Sequence, residues 1–143
     1  MRISTKGIYA LEIVADLAMH STEDSWESLK NIANRRNLSE KYLERIMKGL
    51  KDNGVVVSVR GAYGGYCLAK NAEEITAYDV LAAVEDEMIP VSCLGEKGEC
   101  DRNNGTCAVQ EVWQQLWERI QKTTEKVTLQ DIVDEVGKMN NET

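Results

Sequence analysis

The chain has 143 residues, 43% of them apolar, and a formal net charge of −7 at pH 7. It is long enough to bury one hydrophobic core, and no apolar run approaches the roughly 20 residues that span a membrane, so we expect a soluble, cytoplasmic protein. The charge is uneven, because residues 1–70 carry 11 Lys and Arg against 8 Asp and Glu, whereas residues 71–143 carry 6 against 16. A basic first half beside an acidic second half is expected when one lobe meets a polyanion.

Helical patterns dominate the basic half. Residues 5–21 place apolar side chains at the three-and-four spacing of an amphipathic helix. Ser28 is the predicted N-cap of a short second helix, and Ser39 is the predicted N-cap of a third helix over about residues 40–53. Gly54 supplies the left-handed backbone that ends it. The second and third helices, joined by a tight turn, form a helix-turn-helix.

A hairpin follows the helix-turn-helix. Residues 55–60 are a mostly β-branched run, residues 61–65 a glycine-rich tip, and residues 66–68 a return strand. In such a winged helix the second helix of the pair enters the major groove and the wing approaches the backbone or minor groove of DNA. The alternative is that the helix charges only solvate an exposed face, but the adjacent wing favours DNA contact. The predicted DNA-binding residues are Arg2, Lys6, Ser39, Glu40, Lys41, Tyr42, Glu44, Arg45, Lys48, Arg60, Gly61, Gly64 and Gly65.

The acidic half contains three further predicted helices. A capping-box pattern begins a fourth helix over residues 76–84. Residues 109–127 then carry an apolar stripe on a helix of about 20 residues and about 30 Å, which includes Trp113 and Trp117. This stripe packs either against the chain's own core or against a second copy, and a helix-turn-helix protein gains a second half-site by forming a homodimer. Thr128 is the predicted cap of a last helix.

The predicted fold class is therefore mainly α, a winged helix-turn-helix with a two-stranded wing and a long carboxyl-terminal dimerisation helix. Residues 1–70 form the predicted DNA-binding domain. Residues 71–107 form a linking helix and a cysteine loop, and residues 108–143 form the dimerisation helix and the last helix.

Three cysteines in that loop predict a metal centre. Cys93, Cys100 and Cys107 are separated by equal gaps filled mostly with Gly, Glu, Lys, Asp, Asn and Arg, a segment too polar for a core. Three thiolates on such a loop favour an iron–sulfur cluster. A disulfide scaffold is disfavoured by the low cysteine density, whereas structural zinc, whose ligands usually come in close pairs, remains an alternative. Cys67 lies in an apolar, strand-like run and is predicted to be a small buried hydrophobe outside the site.

Other classes of function fit less well. An enzyme with a small-molecule substrate is not expected, because the chain has one histidine and no recognisable nucleophile motif. A ferredoxin-like electron carrier would explain the cysteines but not the helix-turn-helix and wing. The remaining alternative is a repressor of the same fold that senses nitric oxide, iron or thiol oxidation.

Three segments resemble the family of bacterial winged-helix repressors that includes IscR, NsrR, RirA and CymR. They are the opening residues 1–10, the recognition-helix entry 39–44 and the wing 60–66. The likeness covers nearly the whole chain, and its triple cysteine is similar to the IscR, NsrR and RirA branches, which use it to hold an iron–sulfur cluster. The resemblance, strongest for IscR, implies a homodimer that binds palindromic double-stranded DNA and regulates cluster-biogenesis genes. It also implies a 2Fe-2S cluster on the three cysteines.

The resemblance leaves the fourth cluster ligand open. IscR proteins commonly have one residue fewer in each cysteine gap and place a histidine where this chain has Gln110. The candidates here are His20, presented by a partner subunit, Glu111, Asp101, and a small molecule or water. The resemblance further implies that Glu44 selects among operators, because a carboxylate on the recognition helix is repelled by phosphates and accepts hydrogen bonds from cytosine amino groups.

Overall fold

The computed structural model describes residues 3–21, 25–61, 64–86, 88 and 109–141. Within them the chain forms six helices and one antiparallel hairpin, which confirms the predicted mainly helical class. None of the described helices combines the length and apolar character needed to cross a membrane. In chain order the elements are α1 Thr5–His20, α2 Leu29–Arg36, α3 Glu40–Asp52, β1 Val56–Val59, β2 Gly65–Leu68, α4 Ala77–Val84, α5 Gln110–Lys126 and α6 Leu129–Asn141.

Helices α2, α3 and α4 begin at the predicted polar caps. The Oγ atoms of Ser28 and Ser39 each accept a hydrogen bond from the backbone N–H three residues later, at 3.1 Å. Thr76 and Asp79 form a reciprocal capping box at the start of α4. Each cap of this kind contributes about 1 kcal/mol to helix stability because it satisfies a backbone donor that the helix leaves unpaired.

Left-handed residues follow two of the helices. Asn37, the residue after α2, has φ 55°, and Gly54, shortly after α3, has φ 74°. Glycine takes this conformation without a steric penalty, and asparagine tolerates it better than most residues. The turn at Asn37 leaves only three residues between the end of α2 and the start of α3, so the two helices form the predicted helix-turn-helix.

One hydrophobic core joins the amino-terminal helices, β1, α4 and the start of α6. Its members lie on the inner faces of the helices, at the spacing that the sequence predicts, and burying each side chain contributes about 1.5–3 kcal/mol relative to exposure. The largest fully buried apolar side chains are Ile13, Leu17, Ile32, Leu43, Ile46, Met47, Leu50 and Leu129.

The start of α6 is attached to the start of α4 by a short antiparallel bridge between Thr76 and Thr128. The N–H of Ala77 donates to the carbonyl of Val127 at 2.8 Å, and the N–H of Leu129 donates to the carbonyl of Ile75 at 2.9 Å. The division of the chain at residues 70 and 107 stays a prediction. The packing adds that α6 and the amino-terminal helices share one core.

A charged residue, Asp16, is fully buried on α1. The Nη2 atom of Arg35 lies 2.6 Å from its Oδ1 atom, and the Nε atom of Arg36 lies 3.0 Å from its Oδ2 atom. Burial alone raises the pKa of Asp16, but hydrogen bonds and the positive charges of Arg35 and Arg36 outweigh burial, so the pKa is lowered. The carboxylate is therefore ionised at neutral pH and joins α1 to the end of α2.

Replacing this carboxylate tests how much the pairing stabilises the fold. We expect Asp16→Asn to lower the free energy of unfolding at pH 7 by about 2 kcal/mol, below the usual cost of breaking a buried ion pair, because both arginines retain 31% exposure. The pKa is lowered by folding, so this contribution is present above 3.8 and is lost as the pH falls through the folded value. Urea denaturation of both proteins across this pH range measures the difference.

The matched control is Glu12→Gln, which neutralises an exposed carboxylate of the same helix. It should change stability by less than about 0.5 kcal/mol. Equal stabilities of Asp16→Asn and wild type at pH 7 would contradict the assignment.

Candidate nucleic-acid interface

Helix α3 separates an apolar inner face from a charged outer face. Leu43, Ile46, Met47 and Leu50 are buried in the core. The outward charges are all exposed and, together with the wing residue Tyr66, they line a groove along the helix. This geometry leaves the cationic side chains able to reach phosphates or base edges. The exposed charged residues of this face are Lys41, Glu44, Arg45, Lys48 and Lys51.

The amino-terminal end of α3 combines a polar cap, an acidic side chain and a tyrosine that packs against α1. The exposed Ser39 hydroxyl accepts the N–H of Tyr42, and Glu40 lies exposed in the first turn. Backbone N–H groups at a helix amino terminus favour negative charge, including phosphate. The ring of Tyr42 is half-buried and makes an edge-on contact with Tyr9 of α1, with ring centroids 5.9 Å apart. Tyr42 therefore also fixes α3 against α1.

The wing is the β1–β2 hairpin, in which Val59 lies opposite Gly65. Arg60 and Gly61 are exposed where the hairpin turns. Gly61 has φ 120°, a conformation that glycine adopts far more readily than other residues. The N–H of Gly64 donates to the carbonyl of Gly61 at 3.0 Å, which closes the turn. The structure thus places the Arg60 side chain at the end of a short, closed hairpin.

A third segment pairs with the wing at Glu27. The N–H of Glu27 donates to the carbonyl of Tyr66 at 3.0 Å, and the N–H of Tyr66 donates to the carbonyl of Glu27 at 2.8 Å. A Cβ atom on Gly65 would overlap the carbonyl of Glu27, and one on Gly64 would overlap the carbonyl of Val59. Both glycines are therefore needed for close packing inside the wing, whatever their relation to DNA.

Tyr66 faces the groove along α3. Burial raises the pKa of its phenol, and the negative charge of Glu44 raises it further. The phenol is consequently neutral and able to donate a hydrogen bond at neutral pH. The groove between recognition helix and wing thus holds one carboxylate and one phenol among several cationic side chains.

Two basic residues that resemble DNA contacts have an internal role. Sequence reasoning assigned nothing to Arg35 and Arg36, yet both bind the buried Asp16. The available signal was an aspartate between Ala15 and Leu17, inside the apolar stripe of α1. A charge at such a position requires a partner.

The remaining predicted DNA contacts lie at the start of the chain. Lys6 is partly exposed in the first turn of α1, and Arg2 lies outside the described residues. The Oε1 atom of Glu85, which follows α4, accepts hydrogen bonds from the N–H of Ser4 at 3.0 Å and from its hydroxyl at 2.7 Å. The chain that leads into the cysteine segment is therefore tied to the amino terminus of α1.

The predicted metal ligands Cys93, Cys100 and Cys107, and the candidate Asp101, also lie outside the described residues. In the described part of the chain, no three His, Cys, Asp or Glu side chains come together as a metal site. Cys67 is buried on β2, as predicted.

The two candidates for the fourth ligand that the structure describes are both accessible. His20 has a side chain that is 42% exposed, and its Nδ1 atom lies 2.9 Å from the carbonyl oxygen of Asp16. Glu111 is exposed in the first turn of α5, where one carboxylate oxygen accepts a hydrogen bond from Gln115.

Helix α5 exposes an apolar surface. It packs against α4 but contains no buried residue. Val112 is 56% exposed and Leu116 is 43% exposed, while Trp113 and Trp117 are partly exposed. The helix has 17 residues rather than the predicted 20 or so, but it carries the predicted stripe.

Comparison with known proteins identifies the family. Residues 3–135 match the sequence profile of the family described as Rrf2, Iron-dependent Transcriptional regulator. The chain belongs to the Rrf2 family. Over its full length it is 37% identical to the HTH-type transcriptional regulator IscR of Yersinia pseudotuberculosis, of which it covers 89%. It is 36% identical to the IscR of Serratia proteamaculans, again with 89% of that protein covered.

Solved Rrf2 structures share the fold. The cysteine regulator CymR of B. subtilis superposes with a TM-score of 0.77 at 35% identity, covering 94% of this chain and 98% of that one. The IscR of T. potens superposes with a TM-score of 0.74 at 32% identity, covering 95% and 88%. These relatives confirm the winged-helix fold. Because Rrf2 proteins are transcriptional regulators, they also confirm that the chain is not an enzyme.

Proposed function

We propose that this Rrf2 regulator is a cytoplasmic homodimer that binds palindromic DNA and whose binding responds to an iron–sulfur cluster held by Cys93, Cys100 and Cys107. The observation that carries the DNA-binding part is the exposed cationic face of α3 beside the wing. The resemblance to IscR makes genes of cluster biogenesis the first targets to test.

In this proposal α3 enters the major groove by its amino-terminal end, at Ser39. Arg45 and Lys48 contact base edges or phosphates, and Arg60 at the end of the wing reaches the backbone or minor groove. Glu44 discriminates among operators, because its carboxylate accepts from cytosine but repels phosphate. Tyr66 lines the same groove as Glu44. Its neutral phenol supports this role, because its O–H can donate a hydrogen bond to the carboxylate.

The wing contact is tested by Arg60→Ala on a duplex that the wild-type protein selects from random-sequence DNA. We expect about tenfold weaker binding and a decrease of about one in the slope of log affinity against log salt concentration, because one phosphate contact is lost. Fluorescence anisotropy at several salt concentrations measures both quantities. Lys138→Ala, on the exposed face of α6, is the matched control and should change neither. An unchanged slope and affinity for Arg60→Ala would remove the wing from the interface.

The homodimer is supported by the exposed apolar stripe of α5. A helix with no buried residue and two accessible aliphatic side chains loses apolar contact with water when a second copy covers it. A twofold dimer also presents two recognition helices to a palindrome. The dimer therefore explains both the stripe and the expected symmetry of the operator.

Substitution on the stripe tests the dimer. We expect Leu116→Asp to shift the protein from dimer to monomer in sedimentation velocity at micromolar concentration, because it places a charge in the apolar contact. Its circular dichroism should keep the wild-type helix content, since Leu116 is not part of the core. Gln114→Asp introduces the same charge at an exposed polar position of α5 and should remain dimeric. A dimeric Leu116→Asp protein would contradict the assignment of this face.

The cluster part of the proposal rests on donor chemistry. Three cysteine thiolates are the ligands that iron–sulfur clusters and zinc prefer, and the wide, equal gaps favour the cluster. When bound, a cluster with an incomplete thiolate set supplies reactivity toward oxidants, nitric oxide and changing iron supply. The cysteine segment lies between α4, which ends at Val84, and α5, which begins at Gln110. A change in the segment can therefore alter how these two helices are placed.

Anaerobic purification tests the cluster. We expect visible absorption together with equal amounts of iron and sulfide, two of each per chain for a 2Fe-2S centre. Both should be lost when Cys93, Cys100 and Cys107 are replaced by alanine. Cys67→Ala is the matched control and should keep the cluster, because its thiol is buried in the wing strand. A colourless wild-type protein that retains zinc after reconstitution would overturn the iron–sulfur assignment.

A further inference from the structure

Arg35 contacts two different segments of the chain, helix α1 and the residues that precede α2. Its Nε atom lies 3.1 and 3.2 Å from the two carboxylate oxygens of Asp16 on α1. Its Nη1 atom lies 3.1 Å from Oε1 of Glu27. One guanidinium at the end of α2 therefore holds the first helix with one edge and the segment before α2 with the other.

Glu27 connects this guanidinium to the wing. Its backbone makes the two hydrogen bonds with Tyr66, while its side chain makes the ion pair with Arg35. The only backbone hydrogen bonds that join the hairpin to the segment before α2, within the described residues, pass through Glu27. A two-stranded hairpin has little stability by itself and takes its orientation from what it packs against.

We infer that the Glu27–Arg35 ion pair is a positioning device that holds the wing at a fixed orientation relative to the recognition helix, and that it thereby sets DNA affinity through Arg60. This inference rests on the proposed DNA-binding function. Glu27 is a positioning residue and not itself a DNA contact, because its side chain is only 12% exposed and is directed to Arg35.

The geometry distinguishes this pair from ordinary surface ion pairs, which contribute little. Arg35 is already held by Asp16, so little side-chain freedom is lost when it also binds Glu27. The carboxylate of Glu27 is almost removed from solvent, which strengthens the charge-assisted hydrogen bond. The pair is thus preorganised on the arginine side and shielded on the glutamate side.

The wing is sensitive to this attachment because its packing is tight. Gly65 allows the carbonyl of Glu27 to approach β2 more closely than any side chain would permit. A small displacement of Glu27 therefore moves Tyr66, which pairs with Ser58 near the turn end of the hairpin, close to the exposed Arg60. Loss of the ion pair is expected to loosen the hairpin without unfolding the helical core.

The test is a double-mutant cycle on the duplex selected by the wild-type protein. We expect Glu27→Gln, which keeps the shape of the side chain but removes its charge, to weaken binding roughly three- to tenfold. In an Arg60→Ala background the same change should weaken binding by less than about twofold, because its route to DNA is already lost. Glu73→Gln, an exposed glutamate between the wing and α4, is the matched control and should have no effect in either background.

Amide hydrogen exchange gives a readout that separates wing positioning from general destabilisation. In Glu27→Gln the amides of Glu27 and Tyr66, which form the bridge, should exchange faster, while those of α1 and α3 keep their wild-type rates. Faster exchange throughout α1 and α3 would show a merely structural role and overturn the inference.

The binding results separate this inference from the proposed function. Wild-type protein that selects no DNA would end both. Wild-type protein that binds, with Glu27→Gln equally tight or with the full loss persisting in the Arg60→Ala background, would end the inference alone.

Discussion

The arrangement of the helices depends on one buried negative charge. A carboxylate removed from water must be paired or protonated, and Asp16 is paired with Arg35 and Arg36. The pairing has direction, because a guanidinium fork fits a carboxylate in few orientations, so it sets how α2 lies against α1. The turn at Asn37 then carries that orientation into α3. An apolar replacement of these three groups would lack the directional contact and would not impose the same angle on the helix-turn-helix.

Most of the fold could be predicted because its signals are local. Ser28, Ser39 and Thr76 each cap a helix by accepting the backbone N–H three residues ahead, and apolar side chains recur at helical spacing. Each element can therefore be recognised in a short window of sequence. The contacts that orient these elements are not local. Asp16 and Arg35 are 19 residues apart in sequence, and nothing near either one indicates the other. The bridge between Glu27 and Tyr66 cannot be read from the sequence for the same reason.

The same distinction between local signals and contacts distant in sequence applies to the candidate site. The exposed face of α3 follows from the period of an amphipathic helix, and the hairpin follows from a β-branched run before a glycine-rich turn. The environment of Glu44 cannot be predicted in this way, because the phenol beside it, that of Tyr66, comes from another element. Likewise the sequence predicts that the glycines at 64 and 65 contact DNA at the wing tip, and only the structure shows that they lie against two carbonyl groups that leave no room for a side chain. Family membership supplies what neither source contains, namely regulation of transcription.

The bridge between Thr76 and Thr128 lets the chain between α4 and α5 vary in length with little effect on the rest of the fold. The N–H of Ala77, at the start of α4, donates to the carbonyl of Val127, just after α5, so the start of α4 and the end of α5 lie side by side. The stretch of chain from Thr76 to Thr128, which contains α4 and α5, therefore has its two ends fastened to each other. Changes in its length add little closure entropy to the rest of the fold. Insertions or deletions between α4 and α5 are therefore expected to leave the packing of α1, α2, α3 and the wing unchanged.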